Sequence, residues 1–120
     1  MNSIEQLIEQ YHLDEKVGEL LDHALLREEL YCLGEVVSSE PAEDASVTIT
    51  ELEDESGHVF IPCFTTLDMM EGWADEGEGY LTLSGKDLLN MVQDAMVIIN
   101  PESELEYVLT PQHIHELLKR

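Results

Sequence analysis

The side chains of this chain that could do chemistry are two cysteines, five histidines and 27 carboxylates. A thiol nucleophile needs a base within reach and a cationic setting that lowers its pKa. Cys32 and Cys63 lie instead in apolar, strand-like stretches of an acidic chain, which raises a thiol pKa. They read as small buried hydrophobes in a reducing compartment. A disulfide between them requires strands that bring the two Cα atoms within about 7 Å. No Gly-x-Ser-x-Gly elbow is present to present a serine. Carboxylate pairs are so plentiful that no one pair stands out as an acid and base.

Metal and phosphate sites fail on spacing. An EF-hand loop needs Gly at position six and a bidentate Glu at twelve. With Gly57 at six, Leu52 falls at one and Cys63 at twelve; with Gly79 at six, Ala74 falls at one. His12, His23, His58, His113 and His115 are too scattered for a zinc set, and His113 and His115, two apart on a helix, point in different directions. They read as surface histidines. Gly79 and Gly85-Lys86 are spaced Gly-x5-Gly-Lys, one residue too long for a phosphate loop, and Asp87 stands where Ser or Thr would hold Mg²⁺. The expectation is a chain without catalytic residues, metal or cofactor.

The carboxylates matter as a field. Against them stand only five Lys and Arg, for a formal net charge of −22. No basic residue lies between Arg27 and Lys86, an interval holding 15 acids. Such a surface repels nucleic-acid phosphates and anionic lipids and attracts basic proteins. No run of apolar residues reaches membrane-spanning length, and Met1-Asn2-Ser3-Ile4-Glu5 does not resemble a secretory signal. A cytoplasmic protein is the expectation, bound neither to membrane nor to nucleic acid.

The elements that must position these groups are read from periodicity. Ile4, Leu7, Ile8 and Tyr11 recur at helical spacing over Ser3–His12. Asp14–Arg27 repeats the pattern, with Val17, Leu20, Leu21, Ala24 and Leu25 on one face and Glu19 and Asp22 pointing away. Strands follow at Leu30–Val37, Val47–Glu53, His58–Phe64, Tyr80–Leu83, Ala95–Ile99 and Leu105–Leu109. Asp54–Gly57 turns the second into the third as a hairpin, and the third, apolar on both faces, reads as an inner strand. Ser38–Ser46 is a loop by composition. Helices are expected at Thr66–Asp75, with Leu67, Met70, Trp73 and Ala74 apolar, after Ser84-Gly85, and after Thr110-Pro111, where Pro occupies the first helical position. The fold class is α+β. One compact domain over residues 1–120 has a helical segment at 1–28 and, over 29–120, a mixed sheet of five to six strands with helices packed on it.

Ile61-Pro62-Cys63-Phe64-Thr65-Thr66, with Trp73 nine positions beyond Phe64, resembles the Phe-Thr segment and tryptophan of the SseB N-terminal domain family. Val97-Ile98-Ile99-Asn100-Pro101 and Glu106-Tyr107-Val108-Leu109-Thr110-Pro111 are similar to the rest of that pattern, and the resemblance runs from about residue 20 onward. It implies a compact α/β domain with a mixed sheet and brings no catalytic residues. Phe64, Thr65, Trp73, Asn100, Pro101 and Tyr107 are the matching positions, and each has a structural explanation. The acidity from Glu40 to Glu55 exceeds what the pattern requires.

Together these features point to a non-enzymatic interaction or accessory module. Its candidate partner-binding residues are Glu40, Glu43, Asp44, Glu51, Glu53, Asp54 and Glu55, facing a basic protein. Alternatives are an acidic neutraliser that mimics nucleic acid, a small-ligand site near Trp73 where helix meets sheet, or acidity that serves only solubility or salt tolerance.

Overall fold

The computed structural model describes residues 3–37, 46–73, 79–92 and 94–119. Ile4 and Ile8 set the inward face of α1 (Ser3–Leu13), with Leu7 and Tyr11 packed alongside. The predicted second helix divides. A 3-10 turn at Glu15–Val17, capped by the Asp14 side chain, leads into α2 (Gly18–Arg27). On α2 the expected face is rotated. Leu21, Ala24 and Leu25 are buried as predicted, but Leu20 is 60% exposed and Asp22 only 6%. Leu20 and Asp22 lie on opposite flanks of one apolar stripe, and the covered flank is that of Asp22.

The strands are β1 (Glu29–Val37), β2 (Ser46–Ile49), β3 (Leu52–Glu53), β4 (Val59–Phe64), β5 (Tyr80–Ser84), β6 (Met96–Ile99) and β7 (Tyr107–Leu109). They form one mixed sheet in which β2, β1, β4, β6 and β7 are successive neighbours, while β5 pairs with β1 and β3 with β4. The seventh strand arises because the predicted Val47–Glu53 strand is split. Residues Ser46–Ile49 pair with β1 and Leu52–Glu53 with β4. Between them the Thr50 N–H donates to the Leu33 carbonyl at 2.9 Å, so the chain changes partner there. The hairpin from β3 to β4 turns at Gly57, whose φ of +86° suits glycine.

β4 is an inner strand, antiparallel to β1 and parallel to β6, and Phe60 to Phe64 are all buried. Alternation divides its side chains. Ile61 and Cys63 join Leu30, Cys32, Val97, Ile99 and Leu109 in the main core, beneath α1, α2, α4 (Gly85–Met91) and α5 (Pro111–Leu118). Phe64 points the other way, into a small cluster with Leu33 and Met70 under α3 (Leu67–Glu71). Leu67 of that helix is exposed, and Ala74 and Asp75 lie outside the described residues.

The caps are those the sequence predicts. Thr66, Ser84 and Thr110 accept from the backbone N–H groups of Met69, Asp87 and His113 at 3.2–3.3 Å. Gly85 opens α4 where a Cβ would run into the carbonyl oxygen of Leu25. None of the helices is long and apolar enough to cross a membrane among the described residues.

Candidate binding cleft

Because β4 and β6 are parallel, with Phe60 opposite Met96 and Cys63 opposite Ile99, their carboxyl ends emerge side by side. In open α/β sheets, ligands bind in the crevice outside such ends. Phe64-Thr65 leaves one strand there and Asn100-Pro101 the other. The Asn100 N–H extends the ladder by donating to the Cys63 carbonyl at 2.7 Å. The chain then turns with φ of +52° at Asn100 and +61° at Glu102, a region asparagine tolerates better than most residues.

Asn100 is 1% exposed, and its amide is fully engaged. Oδ1 accepts from the Thr65 N–H at 3.1 Å, and Nδ2 donates to Thr65 Oγ1 at 3.0 Å and to the Leu105 carbonyl at 3.5 Å. Ser103 closes the loop, its Oγ donating to the Asn100 carbonyl at 2.7 Å and accepting from the Leu105 N–H at 3.1 Å. The Glu102 N–H donates to Glu106 Oε1 at 3.0 Å. Trp73 lies 6.3 Å from Phe64, centroid to centroid, with the rings tilted by 46°. Met69, Trp73, Phe64, Asn100, Pro101 and Ser103 border a hollow of about 380 Å³.

A second hollow of about 690 Å³ adjoins the first and shares Trp73, Pro101 and Glu102 with it. Its apolar residues are Leu52, Phe60 and Ile98; its carboxylates are Glu53, Asp54, Glu55, Glu102 and Glu106. Asp54 shapes the hairpin that carries three of them. Its Oδ1 accepts from the N–H groups of His58 and Ser56, both at 2.9 Å. The His58 backbone N–H is the chief reason its carboxyl is held below the usual range. A third hollow, also about 690 Å³, continues past Ile98 to Met96 and Val108, with Glu51 and Asp94 at its border.

Of the predicted partner-binding acids, Glu51, Glu53, Asp54 and Glu55 therefore line these hollows, while Glu40, Glu43 and Asp44 lie outside the described residues. Phe64, Thr65, Trp73, Asn100 and Pro101, far apart in sequence, converge at the carboxyl ends of β4 and β6. Sequence reasoning passed over Glu102 and Glu106. Their signal was the acidic run directly after Asn100-Pro101.

Tyr107 belongs elsewhere. It is buried on the main-core side, where its hydroxyl donates to Asp22 Oδ1 at 3.4 Å. His113 Nε2 lies 3.2 and 3.3 Å from the two Asp22 oxygens, and since a carboxylate only accepts, that nitrogen carries the proton. Burial, and then the nearby Asp22 charge, pushes the Tyr107 hydroxyl well above its ordinary pKa. His113 is thus half-buried and paired, not a free surface histidine. His12, His23, His58 and His115 are exposed, and the last two lie 3.5 Å from Asp54 and 3.4 Å from Asp94. No group of three or more potential metal ligands clusters among the described residues.

The cysteines are cross-strand partners, Cys32 directly opposite Cys63, and both are fully buried as free thiols. Burial pushes the Cys32 thiol up to about 11, and the Cys63 thiol well above the ordinary value. Neither has the thiolate character that nucleophilic or redox chemistry needs.

Searches of curated proteins and of solved structures found no match. The family described as SseB protein N-terminal domain matches residues 4–116, from the first turn of α1 into α5. The match takes in the Asn100–Thr65 junction, both walls of the acidic cleft and the Asp22–His113 contact. The chain belongs to the SseB N-terminal domain family.

Proposed function

We propose that this chain is a non-enzymatic interaction module of the cytoplasm, whose acidic surface engages a basic protein. One observation carries the reading. Carboxylates from two segments far apart in sequence, Glu53, Asp54 and Glu55 in the β3–β4 hairpin and Glu102 and Glu106 in the loop after β6, border a single cleft. A chain of net charge −22 attracts cationic partners over its whole surface; the cleft concentrates that attraction in one place. The non-catalytic part of the reading is supported by the buried state of both thiols and by the engagement of Asn100 and Thr65 with each other. Free buried thiols also suit a reducing compartment.

The test is affinity capture of the tagged chain from its own cell lysate at low and high salt, with mass spectrometry of what is retained. The expected result is one dominant basic protein, held at low salt and released at high salt. Retention of nothing, or only of partners indifferent to salt, overturns the reading. If the captured protein binds DNA or RNA and gives it up to this chain in competition, the module acts as a neutraliser.

A further inference from the structure

We propose that the open face of the sheet beyond Trp73 seats a cationic amphipathic helix of the partner protein. The inference rests on the reading of this chain as an acidic interaction module and adds where and how the partner docks.

The sheet is unevenly covered. Four helices pack over one face, and on the other the only helix packed among the described residues is α3, five residues long. A helix of that length runs about 7 Å, while β4, with six residues, runs about 20 Å. Parallel strand pairs are ordinarily covered on both faces. Here, among the described residues, α3 covers only the Phe64 end of the β4–β6 pair, and past it Phe60 is buried while Ile98 is half-buried and Val108 exposed. Beyond it, Phe60, Ile98 and Val108 lie along the two adjoining hollows, which share Ile98 and Asp54. Val108 is 42% exposed.

Charge then selects the occupant. Among the described residues no Lys or Arg lines either hollow, and the carboxylates of Glu53, Glu55, Glu102 and Glu106 stand around the apolar floor. A second copy of this chain would bring another −22 charges to the same place. A polycation without an apolar side would leave the half-buried Ile98 and the exposed Val108 against water. A helix with one apolar stripe flanked by Lys and Arg meets both demands: the stripe covers the floor and the cations meet the rim. It would also add helical cover on the face where α3 is the one helix among the described residues.

The chain has one tryptophan, Trp73, at the border of the cleft, so its emission reports occupancy. The experiment titrates the protein with three synthetic peptides: a Leu/Lys peptide of about 14 residues with helical apolar spacing, a scrambled peptide of the same composition, and oligolysine. The expected result is a blue shift of Trp73 emission with the amphipathic peptide, at least about tenfold tighter binding than the scrambled one, and binding that persists at salt that releases oligolysine. Ile98→Asp is expected to weaken the amphipathic peptide about tenfold or more, whereas Leu20→Asp, on the far flank of α2, leaves it unchanged. Should Ile98→Asp fail to fold, Val108→Asp, at a more exposed position of the same floor, serves in its place. Equal affinity for all three peptides overturns the docked helix but leaves the acidic module standing. No binding of any peptide at low salt overturns both.

Discussion

The side-chain amide of Asn100 holds Thr65 by two hydrogen bonds, one to its backbone N–H and one to its hydroxyl, across the carboxyl ends of β4 and β6. The two residues are 35 positions apart and both buried. Asn100→Ala leaves the Thr65 N–H without its acceptor and places a non-glycine, non-asparagine residue at φ +52°. The expected loss is about 2–4 kcal/mol of stability. Asn100→Gly removes the same bonds but keeps the backbone free, and should lose about 1 kcal/mol less. Urea unfolding of the two variants beside the parent checks both numbers; equal losses would show that the backbone conformation contributes nothing.

Asp22, His113 and Tyr107 tie α2 to α5 and β7 through one nearly buried carboxylate. Asp22→Ala strips both donors of their acceptor and is expected to cost about 1–3 kcal/mol, with Tyr107→Phe nearer 1. Because the groups touch, the double variant should fall short of the sum of the singles. Strict additivity in a double-mutant cycle would count against a shared contact.

The cysteines give a pH limb with a definite sign. The folded Cys32 thiol holds its proton to about pH 11, against an ordinary value of 9.0. Between these values the unfolded chain releases that proton while the folded chain keeps it. The folded state then binds more protons, and stability falls as pH rises above 9. Tyr107, raised above 10.0, continues the decline. Urea midpoints from pH 8 to 11 should trace this slope, and Cys32→Val should flatten its first part. Both thiols should also resist a disulfide reagent in the native protein and react at once in denaturant; rapid native labelling would contradict their burial.

The charge imbalance makes a prediction about salt. With few Lys and Arg, little attraction is available to screen; the shortest Lys or Arg ion pair among the described residues is Arg27–Glu28 at 3.9 Å, well exposed. Sodium chloride therefore screens repulsion more than attraction. The thermal midpoint should rise from low salt to 0.5 M (a Debye length of roughly 4–5 Å). A midpoint that is flat or falls would place the acids too far apart to strain the fold.

Much of the architecture is legible in the residues, because it rests on local rules. Thr110-Pro111 and Ser84-x-x-Asp87 mark helix starts by hydrogen-bonding chemistry that acts within three residues. Ile61 to Phe64, apolar on both faces, announces an inner strand. What stays hidden is settled by distant neighbours. Leu20 and Asp22 flank the stripe of α2 equally, and the choice falls to Tyr107 and His113, more than 80 residues away. The split at Thr50 depends on the carbonyl of Leu33. The cleft was half visible: its hairpin acids stand out in sequence, but nothing local says that Glu102 and Glu106 share its border.

One feature of the sheet bears on how the chain reaches this structure. β1 comes first among the strands and is the hub to which β2, β4 and β5 all pair. As the ribosome releases the chain, β1 emerges with both edges bare, and its register with β5 waits until residue 84 is out. The parallel partner of β4 comes later still, at residues 96–99. Loop closure over such separations is slow. Folding of the sheet is therefore expected to begin only once residues 96–99 have emerged, and the exposed hub strand is the segment most in need of a chaperone until then.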